Sequence, residues 1–142
     1  MLGKFDQPIT IEKKLDIIKE AGFDGFAGRV SQVTRELVNK HNLLFAAIVD
    51  IGEESDVESE LQAIKEVGVA CVNVQMLDHD TPTEVAVPLA CEVMKVADKL
   101  EMDVGIEVHR DTCTETPEKT YALAEGYEQI ENQPLKITWD FS

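Results

Sequence analysis

Two short segments carry the side chains best suited to chemistry, and each has the pattern of a β-strand that ends in polar residues. In DVGIEVHRD at 103–111, side chains alternate between the two faces of a strand, so Glu107 and His109 share one face. In LKITWDFS at 135–142, the same alternation places Asp140 on the polar face. Carboxylates and imidazoles at the carboxyl ends of parallel strands are typical of metal sites with oxygen and nitrogen ligands. These two segments are therefore the candidate site.

Helical and strand patterns alternate along the chain, which predicts a parallel sheet with helical connections. The strands are predicted at 23–27, 43–51, 69–76, 103–109 and 135–141. The helices are predicted at 11–21, 31–41, 55–67, 81–101 and 116–127. Each helix has a candidate capping hydroxyl at its start, namely Thr10, Ser31, Ser55, Thr81 and Thr116. The apolar run at 43–51 is typical of a strand buried on both faces.

Two architectures fit this alternation. One is a five-stranded doubly wound sheet, which suits the length of 142 residues. The other is part of a (β/α)₈ barrel, which has about 250 residues when complete. Alternating positions of three strands carry polar residues or glycine, namely Asn73, Gln75, Gly105, Glu107, His109, Thr138 and Asp140. In a barrel these positions converge on one axis, so we expect a partial barrel whose strand order follows the sequence.

Composition narrows the class of protein. A single domain spanning 1–142 is expected, and its net charge of −15 argues against nucleic acid as a partner. No apolar run reaches the ~18 residues that cross a membrane, so no membrane partner is expected. The three cysteines Cys71, Cys91 and Cys113 fit neither a disulfide framework nor a zinc motif. A reducing cytoplasm is the expected location.

Four stretches resemble the xylose-isomerase-like TIM-barrel superfamily, which contains sugar isomerases, epimerases and endonuclease IV. They are GFDGF at 22–26, VNVQ at 72–75, GIEVHRDT at 105–112 and KITWDFS at 136–142. Members of this superfamily commonly hold a divalent metal with a glutamate at the end of one strand and an aspartate at the end of the next. Glu107 and Asp140 match these positions, so the resemblance implies that both are metal ligands.

The resemblance also implies that the barrel is incomplete. The chain corresponds to about five of the eight strands of a full barrel. The first strand is expected to be absent or reduced to residues 1–5, and the C-terminal barrel units to be missing. The later histidine and second glutamate ligands of the family have no counterpart here. We therefore expect weak metal binding and little activity from this chain alone.

The candidate site residues have alternative interpretations. Glu107 is the candidate catalytic proton carrier; otherwise it is a buried carboxylate satisfied by Arg110 or Lys136. His109 is expected to bind substrate or to orient Glu107, unless it is a hydrogen-bonded core histidine. Arg110 is expected to hold a substrate carboxylate or phosphate; the alternative is a salt bridge to Asp111 or Glu107.

Four further residues complete the predictions. Gln75 and His79 follow the third strand and are expected to contact a polyol substrate. Asp50 ends a strand, where capping of a loop is expected; the alternative is that it points into the site. His41, at the C-terminal end of a helix, is expected to be structural.

The resemblance implies a sugar or sugar-acid isomerase or epimerase that moves a proton α to a carbonyl with a divalent metal. Oxygen-rich ligation favours Mn²⁺ or Mg²⁺, with Zn²⁺ or Co²⁺ as alternatives. Three other functions remain open: an endonuclease-IV-like repair enzyme, a non-catalytic small α/β binding module, and an inactive fragment that self-associates through open sheet edges.

Overall fold

The computed structural model describes residues 8–53 and 55–139, and its centre is a five-stranded parallel sheet. The strands are β1 (Gly25–Arg29), β2 (Leu44–Ile51), β3 (Cys71–Met76), β4 (Val104–Val108) and β5 (Ile137–Trp139). They pair in the order in which they occur in the chain, and every pair is parallel. The first strand of a doubly wound sheet lies inside the sheet, so this order confirms the barrel arrangement and rules out the doubly wound alternative.

Five α-helices connect to these strands as predicted. They are α1 (Ile11–Glu20), α2 (Arg35–His41), α3 (Val57–Val67), α4 (Thr83–Lys99) and α5 (Pro117–Glu131), with a short 3₁₀ helix at Val30–Gln32. The predicted caps Thr10 and Thr116 are confirmed, since each hydroxyl accepts from the backbone N–H three residues later. Within the two described ranges, no helix is long and apolar enough to cross a membrane.

Three predicted helix starts were wrong by one to three residues. Ser31 lies in the 3₁₀ helix, and Thr34 caps α2 instead. Asp56 rather than Ser55 caps α3, and α4 starts one residue later than predicted because the Thr81 hydroxyl donates to a loop carboxylate. In each segment several residues that could cap the helix occur close together in the sequence. The contacts made by the loop determine which residue takes the N-cap position.

The two faces of the sheet differ sharply. One face packs under the helices and supplies much of the hydrophobic core, including Phe45, Ala47, Val72, Val74 and Ile106. The other face, which we call the open face, carries the alternate residues of each strand. The prediction that residues 43–51 are buried on both sides was wrong. In β2 the odd-numbered positions are buried or half-buried, whereas Leu44 on the open face is 63% exposed.

Candidate active site

A row of four polar side chains crosses the open face near the carboxyl ends of the strands. Arg29, Asp50, Gln75 and Glu107 each come from a different strand, β1 to β4. Arg29 donates from Nη1 to Asp50 Oδ2 at 2.5 Å and from Nη2 to Gln75 Oε1 at 3.0 Å. Gln75 donates from Nε2 to Glu107 Oε2 at 2.8 Å. We call these four residues the polar row.

The order of donors along the polar row fixes the role of each group. The guanidinium of Arg29 has only donors, so the amide of Gln75 must turn its oxygen toward Arg29. The NH₂ group of Gln75 then faces Glu107, whose carboxylate must accept at that oxygen. Glu107 is only 6% exposed, and burial of a carboxylate is costly unless a partner compensates for the lost water. Gln75 is therefore the partner that lets Glu107 be buried.

Neither of the partners proposed for Glu107 from the sequence is seen in that role. Lys136 pairs with Asp103 instead. Among the ion pairs of residues 8–53 and 55–139, none joins Arg110 to Glu107 or to Asp111. A neutral amide thus satisfies one oxygen of Glu107, and no cation within the described ranges contacts the carboxylate.

A cleft of about 650 Å³ lies at the carboxyl ends of β2, β3 and β4. Residues from the ends of these strands and from the loops that follow them line it, and the polar ones include Asp50, Gln75, Asp78, Thr81, His109, Arg110, Asp111 and Thr112. Ligands bind at the carboxyl ends of the strands in α/β barrels, where the strand ends and the loops that follow them build the site. The polar row and the cleft share Asp50 and Gln75, so the two form one site.

Buried threonines hold the loop that brings His109 to the cleft. Thr114 donates to the backbone oxygen of Glu107 at 2.8 Å, and Thr112 donates to that of His109 at 2.7 Å. The two hydroxyls also contact each other at 2.9 Å. The Nδ1 atom of His109 lies 2.7 Å from the backbone oxygen of Arg110. Because a carbonyl oxygen only accepts hydrogen bonds, Nδ1 is the donor in this contact. The loop therefore presents His109 in a defined orientation.

Two residues that line the cleft have left-handed backbone conformations. Leu77 follows β3 with φ 57°, and Asp111 lies in the β4–α5 loop with φ 61°. Such conformations cost L-residues about 1 kcal/mol or more, and they cluster at binding and catalytic sites. For a leucine the strain is larger than for an aspartate, whose short side chain tolerates this region. Two of the three loops that edge the cleft, those after β3 and β4, thus hold strained backbone.

A second group of ionisable side chains lies at the rim of the cleft. His79, Asp111 and Glu115 place their ligand atoms within 4.8 Å of one another. Lys119 already supplies a cation there, because its Nζ donates to Glu115 at 2.8 Å and to the backbone oxygen of His79 at 2.6 Å. The hydrogen bond from Lys119 holds the pKa of the Glu115 carboxyl below its usual value. We call His79, Asp111 and Glu115 the rim cluster.

The structure brings some of the predicted site residues together. Gln75 lies in both the polar row and the cleft lining, and His109 and Arg110 line the cleft. His79 lies in the rim cluster, with Nε2 3.3 Å from Asp80 Oδ1. Asp140, the predicted second metal ligand, lies outside the described residues, as does the first strand expected at residues 1–5.

The prediction for Asp50 needs correction. Asp50 does not cap a loop but pairs with Arg29 across the open face, since the strand alternation continues to its last residues. The structural prediction for His41 agrees with its position: it is buried, and its Nε2 lies 3.1 Å from Asp16 on α1.

Sequence reasoning missed Arg29, Thr112 and Thr114. In β1, alternation places Gly25, Ala27 and Arg29 on one face. The predicted strand ended at residue 27, so Arg29 was not included in it. No comparable signal marked Thr112 and Thr114, whose hydroxyls find their partners only when the loop folds back on β4.

Comparison with known proteins bears on the fold. No protein-family model matches the sequence, and no curated protein matches it. Among solved structures, the chain is similar to the probable 3-DHS dehydratase AsbF of Bacillus anthracis, described as involved in petrobactin synthesis. The TM-score is 0.64 at 18% sequence identity, with 96% of this chain and 59% of that chain covered. At this identity the likeness shows the fold alone, and that fold is part of a TIM barrel.

Proposed function

We propose that this chain carries part of the active site of an enzyme that moves a proton α to a carbonyl of a polyhydroxylated substrate, as sugar and sugar-acid isomerases and epimerases do. Glu107 is the proposed proton carrier. His109, Arg110 and Gln75 are the proposed substrate contacts, with His79 near the rim.

The observation that carries the proposal is the environment of Glu107. A carboxylate that transfers a proton works best when it is withdrawn from water and when its orientation is fixed. Glu107 meets both conditions, because it is nearly fully buried and Gln75 binds one of its two oxygens. The other oxygen, Oε1, is then the atom proposed to take the proton. Arg29 fixes the amide of Gln75 and thus acts on Glu107 through it.

The donor chemistry of the site fits a divalent cation. Among the described residues no cation contacts the Glu107 carboxylate. Oε2 has a second lone pair besides the one that accepts from Gln75, so it can serve an ion while Oε1 takes the proton. Hard oxygen ligands suit Mn²⁺ or Mg²⁺ better than Zn²⁺. We propose that Glu107 and Asp140 hold such an ion. When bound, it would supply positive charge to polarise a carbonyl oxygen of the substrate. The Gln75 amide carries no charge and turns its NH₂ toward Glu107, so Gln75 is not proposed as a ligand.

Dehydration is a second candidate reaction. The similar structure is described as a probable dehydratase. Removal of a proton α to a carbonyl is also the first half of the loss of a β-hydroxyl group as water, so one carboxylate serves either reaction. The two outcomes differ in the product, because dehydration creates a carbon–carbon double bond conjugated to the carbonyl.

Deuterium exchange tests the proposal at its first chemical step. The chain is incubated in D₂O with Mg²⁺ and a panel of aldoses, ketoses and β-hydroxy keto acids. Mass spectrometry and NMR detect deuterium next to the carbonyl, and ultraviolet absorbance detects a conjugated product. We expect slow incorporation that Glu107→Gln lowers at least about 100-fold.

Glu66→Gln is the matched control, because Glu66 is an exposed glutamate near the C-terminal end of α3. It should leave the exchange rate unchanged. Equal exchange in the wild type and in Glu107→Gln would contradict the role of Glu107, and the absence of exchange with every substrate would contradict the proposed reaction.

A further inference from the structure

We infer that the cleft takes a neutral polyhydroxylated ligand rather than a phosphorylated one, an inference that rests on the proposed function. The charge of the lining is the first reason. Four carboxylates line the cleft, namely Asp50, Glu53, Asp78 and Asp111. Arg29 neutralises Asp50. Among the described lining residues, three negative carboxylates then remain against one positive guanidinium, that of Arg110. An anionic ligand would therefore enter a net negative cleft.

The helix N-termini at this end of the sheet supply the second reason. Phosphate sites in α/β proteins commonly use the free N–H groups and the positive dipole at a helix start. Here α3, α4 and α5 begin at the carboxyl ends of β2, β3 and β4, and each has an acidic residue in its first turn, namely Glu58, Glu84 and Glu118. In α3 the Asp56 carboxylate also accepts from the Ser59 N–H. Side chains cap α3 and α5, whereas α4 has no side-chain cap. The acidic side chain in the first turn of each helix repels a further anion.

The hydrogen-bonding character of the lining supplies the third reason. Carboxylates only accept hydrogen bonds, and the hydroxyls of a polyol can donate to them, often in adjacent pairs. A phosphate or carboxylate group only accepts, so it finds no donor in Asp78 or Asp111. Arg110 remains as a donor for one hydroxyl or carbonyl oxygen of the ligand. The carboxylates of the lining thus complement the hydroxyls of a ligand better than a group that only accepts hydrogen bonds.

Matched pairs of sugars test the inference by NMR on the ¹⁵N-labelled chain. Fructose is compared with fructose 6-phosphate, ribose with ribose 5-phosphate, and both with inorganic phosphate, in magnesium-free and magnesium-containing buffer. We expect the neutral sugars to shift the amide signals of Gly52, Leu77 and Thr112. The phosphorylated partners should bind at least about ten-fold more weakly at low ionic strength, and added salt should narrow the gap because it screens the repulsion.

A pair of neutralising substitutions gives the converse result. Asp78→Asn with Asp111→Asn should strengthen binding of the phosphorylated sugars. Asparagine keeps an oxygen that can accept the hydrogen bonds of Asp78, and it tolerates the left-handed conformation of residue 111. The control, Asp24→Asn with Asp98→Asn, removes the same charge at the opposite end of the sheet and should change nothing.

The outcomes separate this inference from the proposed function. Tighter binding of a phosphorylated sugar than of its neutral partner would overturn the inference and leave the proposed function standing. The inference is also overturned if Asp78→Asn with Asp111→Asn strengthens binding of the phosphorylated sugars no more than the control pair does. If no sugar shifts the cleft amides in either buffer, both are overturned.

Discussion

The two faces of the sheet come from the same five strands, yet they differ in the side chains that they carry and in how these are stabilised. The helix-covered face is built from apolar residues that exclude water, and Phe45, Val74 and Ile106 are fully buried there. The open face carries charged and amide side chains that satisfy one another, as in the polar row of Arg29, Asp50, Gln75 and Glu107. We therefore expect the helix-covered face to control stability and the open face to control chemistry.

The largest expected effect is on the helix-covered face. Phe45 is fully buried and stacks on Phe26 with ring centroids 4.8 Å apart. Phe45→Ala should lower the free energy of unfolding by about 3–5 kcal/mol, because it removes the ring and leaves a cavity. Ile48→Ala, on the open face of the same strand, should cost clearly less, since Ile48 is only half-buried. Urea unfolding of both variants measures the difference, and equal losses would contradict the distinction between the faces.

A smaller effect is expected in the helices that cover this face. A Cβ at Gly126 would lie 2.6 Å from Cγ2 of Val87, so α4 and α5 meet closely at this glycine. Gly126→Ala should destabilise the chain by about 1–3 kcal/mol through overpacking, against the roughly 1 kcal/mol that alanine gains in helix propensity. Val87→Ala in the Gly126→Ala background should recover part of the loss. Thermal unfolding of the two single variants and the double variant tests the contact.

On the open face we expect little change in stability. Glu107→Gln keeps the shape of the side chain and an acceptor oxygen for Gln75, and it removes a buried charge. The free energy of unfolding should therefore change by less than about 1 kcal/mol, in either direction. A loss comparable to that of Phe45→Ala would mean that the polar row is a structural element rather than a site.

The last effect is confined to high pH and comes from a buried thiol. Burial raises the pKa of Cys113 from 9.0 to about 11. The unfolded chain then loses this proton at lower pH than the folded chain, so the contribution is constant below pH 9 and stability falls as pH rises from about 9 to about 11. Cys113→Ala should flatten this decline relative to the wild type, whereas Cys91→Ala should flatten it less. Chemical unfolding across this pH range tests it.

The sequence predicted features that depend on neighbouring residues better than contacts between residues far apart in the chain. Alternation within strands predicted that Gln75 and Glu107 lie on the same polar side of adjacent strands, and the parallel order followed from the repeated strand–helix pattern. The contact between them, by contrast, depends on the register of β3 against β4, which no local pattern specifies. Arg29 was missed because the predicted strand ended two residues before β1 does, so Arg29 was not assigned to a face of the sheet.

The helix caps show the same limit on a smaller scale. Thr10 and Thr116 each stood as the clear capping residue and were predicted correctly, whereas Ser31 and Ser55 competed with capping residues that follow closely. Similarly, the burial of residues 43–51 was overestimated, because apolar composition does not reveal which face a neighbouring element covers.

Manganese binding tests most directly the claim that Glu107, rather than the rim cluster, is the functional carboxylate at this end of the sheet. Calorimetric titration of Mn²⁺ compares the wild type with Glu107→Gln, and His79→Ala removes one donor of the rim cluster. We predict weak binding of one ion, lost in Glu107→Gln and retained in His79→Ala. Binding that persists in Glu107→Gln and disappears in His79→Ala would contradict the account.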